Sequence, residues 1–259
     1  MHPMLNIAIR AARTAGNIIT RGFENRDDLN IDMKGANDFV TKVDREAEAA
    51  IISKIQQSYP DHSFLGEESG ETLDNPDYQW IIDPLDGTTN FIQGIPHFAV
   101  SIALKIKGKL EIAVVFDPIR GDLFTATKGQ GAQLNGFRIR CGKRRELSSA
   151  IIATAFPFRD KARIADYMSK FTPILIQSGD IRRSGSAALD MAYTAAGKYD
   201  GYFEAKLKPW DIAAGMLLIR ESGGVVTDFQ GGENILASGD VVCGNPKVTQ
   251  QLLKYLNKA

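Results

Sequence analysis

Cysteine and histidine are scarce in this chain, at two and three residues in 259. Two cysteines, Cys141 and Cys243, cannot build a disulfide scaffold. Reduced, buried thiols are the expectation for a cytosolic protein. With so few sulfur and imidazole donors, a Cys/His zinc site has few ligands to draw on, so any metal is expected to be held mainly by oxygen. Charge of one sign is not in excess either. Lys+Arg and Asp+Glu each number 31, for a net charge of zero. That excludes the basic surplus of a protein whose main task is wrapping nucleic acid and the charge block of an acidic tail. No stretch approaches the roughly 18 apolar residues of a membrane-spanning helix. The opening Met1-His2-Pro3-Met4-Leu5-Asn6 lacks the basic start and apolar run of a secretory signal. A cytoplasmic protein with no membrane partner is expected. Internal repeats and low-complexity segments are also missing.

What is present is an ordinary globular composition, 44% hydrophobic and 24% charged. The length suits one large or two small domains, taking roughly 150 residues per domain. Apolar positions Leu5, Ile7, Ala8, Ala11, Ala12, Ala15, Ile18 and Ile19 recur near a period of 3.6 and predict a helix over 4–22, with Gly22 as its stop. A second helix is predicted from Thr41 to Tyr59, with Val43, Ala47, Ala50, Ile51 and Ile55 inward and Pro60 ending it. From Trp80 the period becomes two. Phe98, Val100, Ile102, Leu104 and Ile106 alternate with Ala99, Ser101, Ala103, Lys105 and Lys107, a strand with one more polar face. Turns at 107–109 and 117–118, then 122–127 and a Gly-rich stretch to Gly136, predict an antiparallel meander over 80–140.

The second half alternates strands (151–155, 225–229, 240–243) with helices (159–171, 186–196, 211–221 and one after Asn245-Pro246). The polar stretch Gly142–Glu146 marks a boundary, giving an N-terminal α+β half over 1–145 and a C-terminal α/β half over 146–259, together one compact unit. The fold class is α/β, with a mixed or antiparallel first half.

The segment richest in chemistry is Asp83-Pro84-Leu85-Asp86-Gly87-Thr88-Thr89-Asn90-Phe91, which follows the apolar run Trp80–Ile82. Two carboxylates leave the end of a strand, and Gly87-Thr88-Thr89 offers closely spaced backbone N–H groups suited to phosphate. Acids beside a phosphate cradle repel the ligand unless a cation lies between them. Mg²⁺ suits that place, since it takes oxygen ligands from carboxylates and substrate phosphate. Taken alone, each acidic element has an ordinary explanation: Asp83 and Asp86 as turn residues, Glu67-Glu68 as a solvated loop, Asp44 as part of a capping box after Thr41, and Asp211 as a dipole-favoured acid at a helix start. His62 and His97 read as structural. Ser184-Gly185-Ser186 has no triad to serve, and the Gly129/Gly131 stretch lacks the Lys-Ser/Thr of a nucleotide loop.

Together, Glu67-Glu68-Ser69, Asp83–Phe91 and Trp210-Asp211-Ile212-Ala213-Ala214-Gly215 resemble the signature blocks of the inositol monophosphatase family, within a superfamily that includes fructose-1,6-bisphosphatase. The likeness spans nearly the whole chain. The opening Met1–Ala8, with Lys34-Gly35 before Asn37–Thr41, looks like the SuhB-type bacterial members. The resemblance implies a layered αβαβα fold, a homodimer and two to three Mg²⁺ ions. It implies that Glu67, Asp83 and the Leu85 carbonyl hold one ion, that Asp83, Asp86 and Asp211 hold a second, and that a weaker third sits near Glu67. Gly87 and Thr88 would meet the phosphate. Asp86, Gly185, Ser186, Ala187, Glu204 and Asp211 would line the polyol side. Asp44 would pair with Thr88, and with Glu67 orient the attacking water. Lys34 matches a basic loop near the site.

The implied activity is Mg²⁺-dependent, Li⁺-sensitive hydrolysis of myo-inositol 1-phosphate. Other phosphomonoesters, such as fructose-1,6-bisphosphate or 3′-phosphoadenosine 5′-phosphate, stay open as substrates. SuhB-type proteins also join Nus factors and RNA polymerase in ribosomal RNA antitermination, so a second or a purely non-catalytic role of that kind is carried alongside. Arg183 and the basic stretch Arg138–Arg145 are the candidate partner surfaces.

Overall fold

The computed structural model describes residues 2–25, 31–35, 38–158 and 160–257, with the backbone alone for those between 31 and 40. Helix α1 (Pro3–Glu24) opens with proline in its first turn, where the missing N–H costs no hydrogen bond. Its buried stripe is Leu5, Ala8, Ala11, Ala12, Ala15 and Ile19. The alanines let helix α2 (Lys42–Gln56) lie close against it. Gly22 does not stop α1. It lies within the helix, where a Cβ would come within 2.6 Å of Val43, so it serves the approach of α2. Helix α2 ends at Gln56, before the expected Tyr59–Pro60. Between these helices β1 (Ile31–Gly35) and β2 (Asp38–Thr41) pair antiparallel.

The main sheet has eight strands. They are β3 (Ser63–Gly66), β4 (Gly70–Thr72), β5 (Tyr78–Asp86), β6 (Ala99–Ile106), β7 (Lys109–Asp117), β8 (Asp122–Thr127), β9 (Gly131–Leu134) and β10 (Phe137–Arg138), in the order β10-β9-β8-β7-β6-β5-β3-β4. From β5 to β10 it is the expected meander, and β3 adds a parallel neighbour to β5. The more polar face expected for β6 is not there: Ala99 to Leu104 are all buried. Helices cover both faces of the sheet, so small residues rather than polar ones fill the alternate positions. Lys107 and Gly108 both take positive φ, +50° and +76°, the geometry of a two-residue hairpin turn.

The second sheet holds β11 (Ile151–Thr154), β12 (Asp180–Arg182), β13 (Gly201–Glu204), β14 (Val225–Thr227) and β15 (Val241–Gly244), in the order β12-β11-β13-β15-β14. Strand β13, four residues long, shows no period in the sequence. Helix α4 (Ile164–Gln177) starts five residues later than expected and continues through Pro173, because its buried face is Tyr167, Phe171 and Ile174. Helices α5 (Ala187–Ala195) and α6 (Pro209–Glu221) lie between the two sheets, the short α7 (Ile235–Ser238) packs on α6, and α4 and α8 (Pro246–Leu256) cover the outer face of the second.

The layers are therefore α1/α2, sheet, α5/α6, sheet, α4/α8. One apolar core fills the first helix–sheet space, from Leu5 to Ile112 and Leu123. A second joins the halves, packing Ile81, Val115 and Phe124 with Leu189, Ile212 and Leu218. All of α5 and the stretch Ile212–Ile219 of α6 are buried, as a layer between two sheets requires.

Candidate metal and phosphate site

Strand β5 delivers the first two acids. Its pairing with β6 runs to Asp83↔Ser101, slips, and resumes at Asp86↔Ala99. The slip falls on Pro84, which has no N–H to give a ladder. Asp83 and Asp86 therefore sit within an irregular strand end rather than beyond it. Asp83 is buried, and its Oδ1 accepts from Leu85 N at 2.9 Å. Asp86 Oδ2 accepts from Ser186 Oγ at 2.6 Å and Ala188 N at 2.7 Å. That fastens the end of β5 to the start of α5, where Ser186 is the N-cap. Gly87 follows at φ +101°, and a Cβ there would sit 3.1 Å from both His97 O and Phe98 Cβ. Helix α3 (Thr88–Ile92) begins at Thr88.

Thr88 is gripped by α2. Its Oγ lies 3.3 Å from Asp44 Oδ1 and 3.1 Å from Leu85 O. Asp44 Oδ2 meanwhile accepts from Thr41 N at 2.8 Å and Thr41 Oγ at 2.6 Å, completing the capping box of α2. The capping reading and the Thr88 pairing both hold, one on each carboxylate oxygen. Asp211, near the start of α6, behaves the same way. Its Oδ2 accepts from Lys208 N at 2.7 Å, and its carboxylate converges on those of Asp83 and Asp86, with ligand atoms within 4.8 Å of one another.

Electrostatics mark this group. Burial raises the Asp83 carboxyl well above its ordinary value, and the charges of Glu67, Asp86 and Asp211 raise it further. Burial, then Asp86, does the same to Asp211, against the lowering hydrogen bond from Lys208, with Glu67 and Glu204 adding to the rise. Acids crowded in low dielectric repel one another, and a bound divalent ion inverts that logic. The donor set fits such an ion: oxygen throughout, with no sulfur or imidazole. His62 is engaged elsewhere, accepting from Trp80 Nε1 at 3.0 Å between the rings of Tyr59 and Tyr78. His97 meets Tyr193 edge-to-face, its pKa lowered to about 4 mainly by burial.

The remaining expected residues fall around this centre. Glu67 occupies the turn between β3 and β4, close enough for its charge to act on Asp83 and Asp211. Gly185 takes φ +97° and Ala187 opens α5. Glu204 ends β13, and its Oε2 accepts from the buried Tyr202 hydroxyl. Arg183 is exposed, its guanidinium 5.2 Å from the centroid of Phe158. Lys34 lies on β1, and its side chain is outside the described residues. Two contributors escaped sequence reasoning. Asn90, though inside the motif, was given no task, yet its Nδ2 donates to His97 O and Ser184 O, tying α3 to the Ser184–Ser186 segment. Tyr202 was unseen along with its strand.

The layered fold and the all-oxygen carboxylate group define a class of α/β protein that handles phosphorylated ligands beside hard cations. The chain belongs to the inositol monophosphatase family, whose model matches residues 1–259, a phosphatase family that is generally Mg²⁺-dependent. The chain is 56% identical over 254 residues to the protein named Nus factor SuhB of Escherichia coli K12, covering 98% of this chain and 95% of that one. A solved structure of the extragenic suppressor protein suhB from Bartonella henselae superposes with a TM-score of 0.97 at 40% identity, over 100% of both chains. The inositol monophosphatase of Anabaena gives 0.87 at 35%, over 98% and 95%.

Proposed function

We propose that this chain is a cytoplasmic, Mg²⁺-dependent and Li⁺-sensitive phosphomonoesterase that hydrolyses myo-inositol 1-phosphate, and that it works as a homodimer. The observation that carries this reading is the convergence of Asp83, Asp86 and Asp211 beside a threonine hydroxyl held by a buried aspartate. Glu67, Asp83 and the Leu85 carbonyl would hold one ion, Asp83, Asp86 and Asp211 would hold a second, and Glu67 would serve a third. Bound there, Mg²⁺ supplies the positive charge that activates water and stabilises charge on the phosphoryl oxygens.

The protein's own groups orient the reactants. Gly87 takes the left-handed φ that turns the chain into α3, and the N–H groups of Gly87 and Thr88 at that start are left to meet a phosphate. Thr88 Oγ, within reach of both Asp44 Oδ1 and Leu85 O, would turn its one proton to Asp44 once the Leu85 carbonyl is taken up by a cation, and keep its lone pairs for a water proton. Asp44 is a strengthened acceptor in that chain, because burial raises its pKa above the ordinary value. Glu67 orients the same water from the opposite turn. Glu204, Asp86, Gly185, Ser186 and Ala187 face the polyol.

Phosphate release from myo-inositol 1-phosphate, measured with Mg²⁺, without it, and with added Li⁺, tests this reading. Turnover that needs Mg²⁺ and falls with Li⁺ supports it. A folded protein inert on this and related phosphomonoesters, including fructose-1,6-bisphosphate, counts against it. A second reading has a specific basis in the name Nus factor SuhB, borne by relatives at 50–56% identity. It is a partnership with Nus factors and RNA polymerase in transcription, with exposed Arg183 as the contact. In pull-downs with Nus factors, Arg183→Glu should lose the partner while keeping Mg²⁺-dependent turnover. Unchanged capture removes this surface from consideration.

A further inference from the structure

Glu48 lies one helical turn after Asp44 on the same buried face of α2, with only 2% of its surface exposed. A fully buried glutamate needs hydrogen-bond partners, and its partners are unusual. Oε2 accepts from Glu68 N at 3.0 Å and Oε1 from Ser69 N at 2.7 Å. Residues 67–69 form a three-residue hairpin loop, since Gly66 of β3 pairs with Gly70 of β4. Glu67 N in turn donates to Ile82 O of β5 at 3.1 Å. All three N–H groups of the loop are thus committed, two of them to the one carboxylate. Gly66 makes the reach possible: a Cβ there would lie 2.6 to 2.8 Å from the carboxylate atoms of Glu48.

The loop needs such a hold. Glu67 is pressed toward Asp83 and Asp211, whose charges repel it. The loop also borders a cleft of about 420 Å³ lined by Glu48, Ile52, Glu68 and Ser69 among others, so packing on that side is incomplete. We propose that Glu48 is a positioning residue, which clamps the Glu67 loop through two backbone N–H groups and so presets the Glu67 carboxylate for a divalent cation. This rests on the Mg²⁺-phosphatase reading and names a residue that reading does not use. Helix α2 then braces both sides of the site, Thr88 through Asp44 and Glu67 through Glu48.

The test is Mg²⁺ binding by titration calorimetry without substrate, alongside the Mg²⁺ dependence of turnover, on wild type, Glu48→Gln, Glu48→Ala and Gly66→Ala. Partners that orient metal ligands typically contribute roughly 10- to 100-fold in affinity. Glu48→Ala should weaken Mg²⁺ binding about tenfold or more, and Gly66→Ala, which displaces the same carboxylate, should do likewise. Glu48→Gln keeps one acceptor and should fall between. In each, half-saturation by Mg²⁺ should shift further than turnover at saturating Mg²⁺. In wild type, amide exchange at Glu68 and Ser69 should be slow with and without Mg²⁺. A purely structural role lowers the melting temperature and leaves Mg²⁺ affinity alone. Affinities within twofold of wild type in folded variants, or open-loop exchange at these two amides in wild type, overturn the proposal. A wild-type protein that binds no Mg²⁺ overturns the phosphatase reading itself.

Discussion

Each oxygen of the Asp44 carboxylate has a separate task, and substitution can separate them. In Asp44→Asn the amide oxygen can still cap Thr41, while the NH₂ group faces Thr88 and offers it a donor where it needs an acceptor. The helix keeps its cap and the hydroxyl loses its orientation. Turnover should fall roughly 10²-fold or more, in the range lost with a proton-accepting group, with only a small change in melting temperature. A proportionate loss of both would remove Asp44 from the water-orienting chain. For the wild type, the raised pKa sets the sign of the pH effect. The carboxylate form is the acceptor, so kcat should begin to fall at a higher pH on the acid side than an ordinary aspartate would give, and a kcat–pH profile reads this directly. Asp83 is shared by both proposed ion sites and buried without an alternative. Asp83→Asn should cost at least about 10³-fold in turnover, roughly 4 kcal/mol of barrier, and near-normal activity in that variant would sink the assignment.

The link from β5 to α3 shows how an element places a residue. Gly87 combines a left-handed φ of +101° with neighbours 3.1 Å from any Cβ, so Gly87→Ala incurs both backbone strain and crowding. About 1–3 kcal/mol of stability should be lost, and Thr88, one residue on, should shift with it. Thermal unfolding checks the first effect, and a larger drop in kcat than the stability loss explains checks the second. The elements also divide by how readable they are. Helices α1 and α2 follow from period and capping chemistry, because one face of each meets a sheet and the other meets solvent. Strand β6 looks half-polar in sequence, yet covering helices bury both of its faces. Strand β13 offers only Gly201-Tyr202-Phe203-Glu204, too short for any period to register, so Glu204 could be placed by resemblance but not by pattern. Glu48 carried a usable signal, an acid four residues after Asp44 on the apolar face of a helix. Its partners, two backbone N–H groups twenty residues on, have no signature in sequence.

At the scale of the molecule, the site is a meeting point of elements that have little else in common: α2, the β3–β4 turn, β5, α3, α5 and α6. The acids are far apart in sequence, from Asp44 to Asp211, so no local pattern could bring them together. Motif resemblance could, and the core that joins the halves supplies the physical means. Ile81, beside the acids on β5, packs in the same cluster as Ile212 and Leu189 from α6 and α5. Folding therefore drives like charges into one buried place, and the fold bears their repulsion. The sign of the consequence follows from the raised carboxyls. Asp83 and Asp211 bind protons in the folded state at pH values where the unfolded chain, near 3.8, has released them. Their contribution favours the folded state at low pH and is lost as pH rises through the raised folded values. A divalent cation should restore it, and the restored amount should be larger where the carboxyls are ionised. In thermal unfolding of the metal-stripped protein, added Mg²⁺ should raise the melting temperature more at pH 8 than at pH 5. Asp83→Asn, with one fewer charge to neutralise, should flatten that difference. An Mg²⁺-induced shift that is the same at both pH values would mean that the ion binds away from these carboxylates.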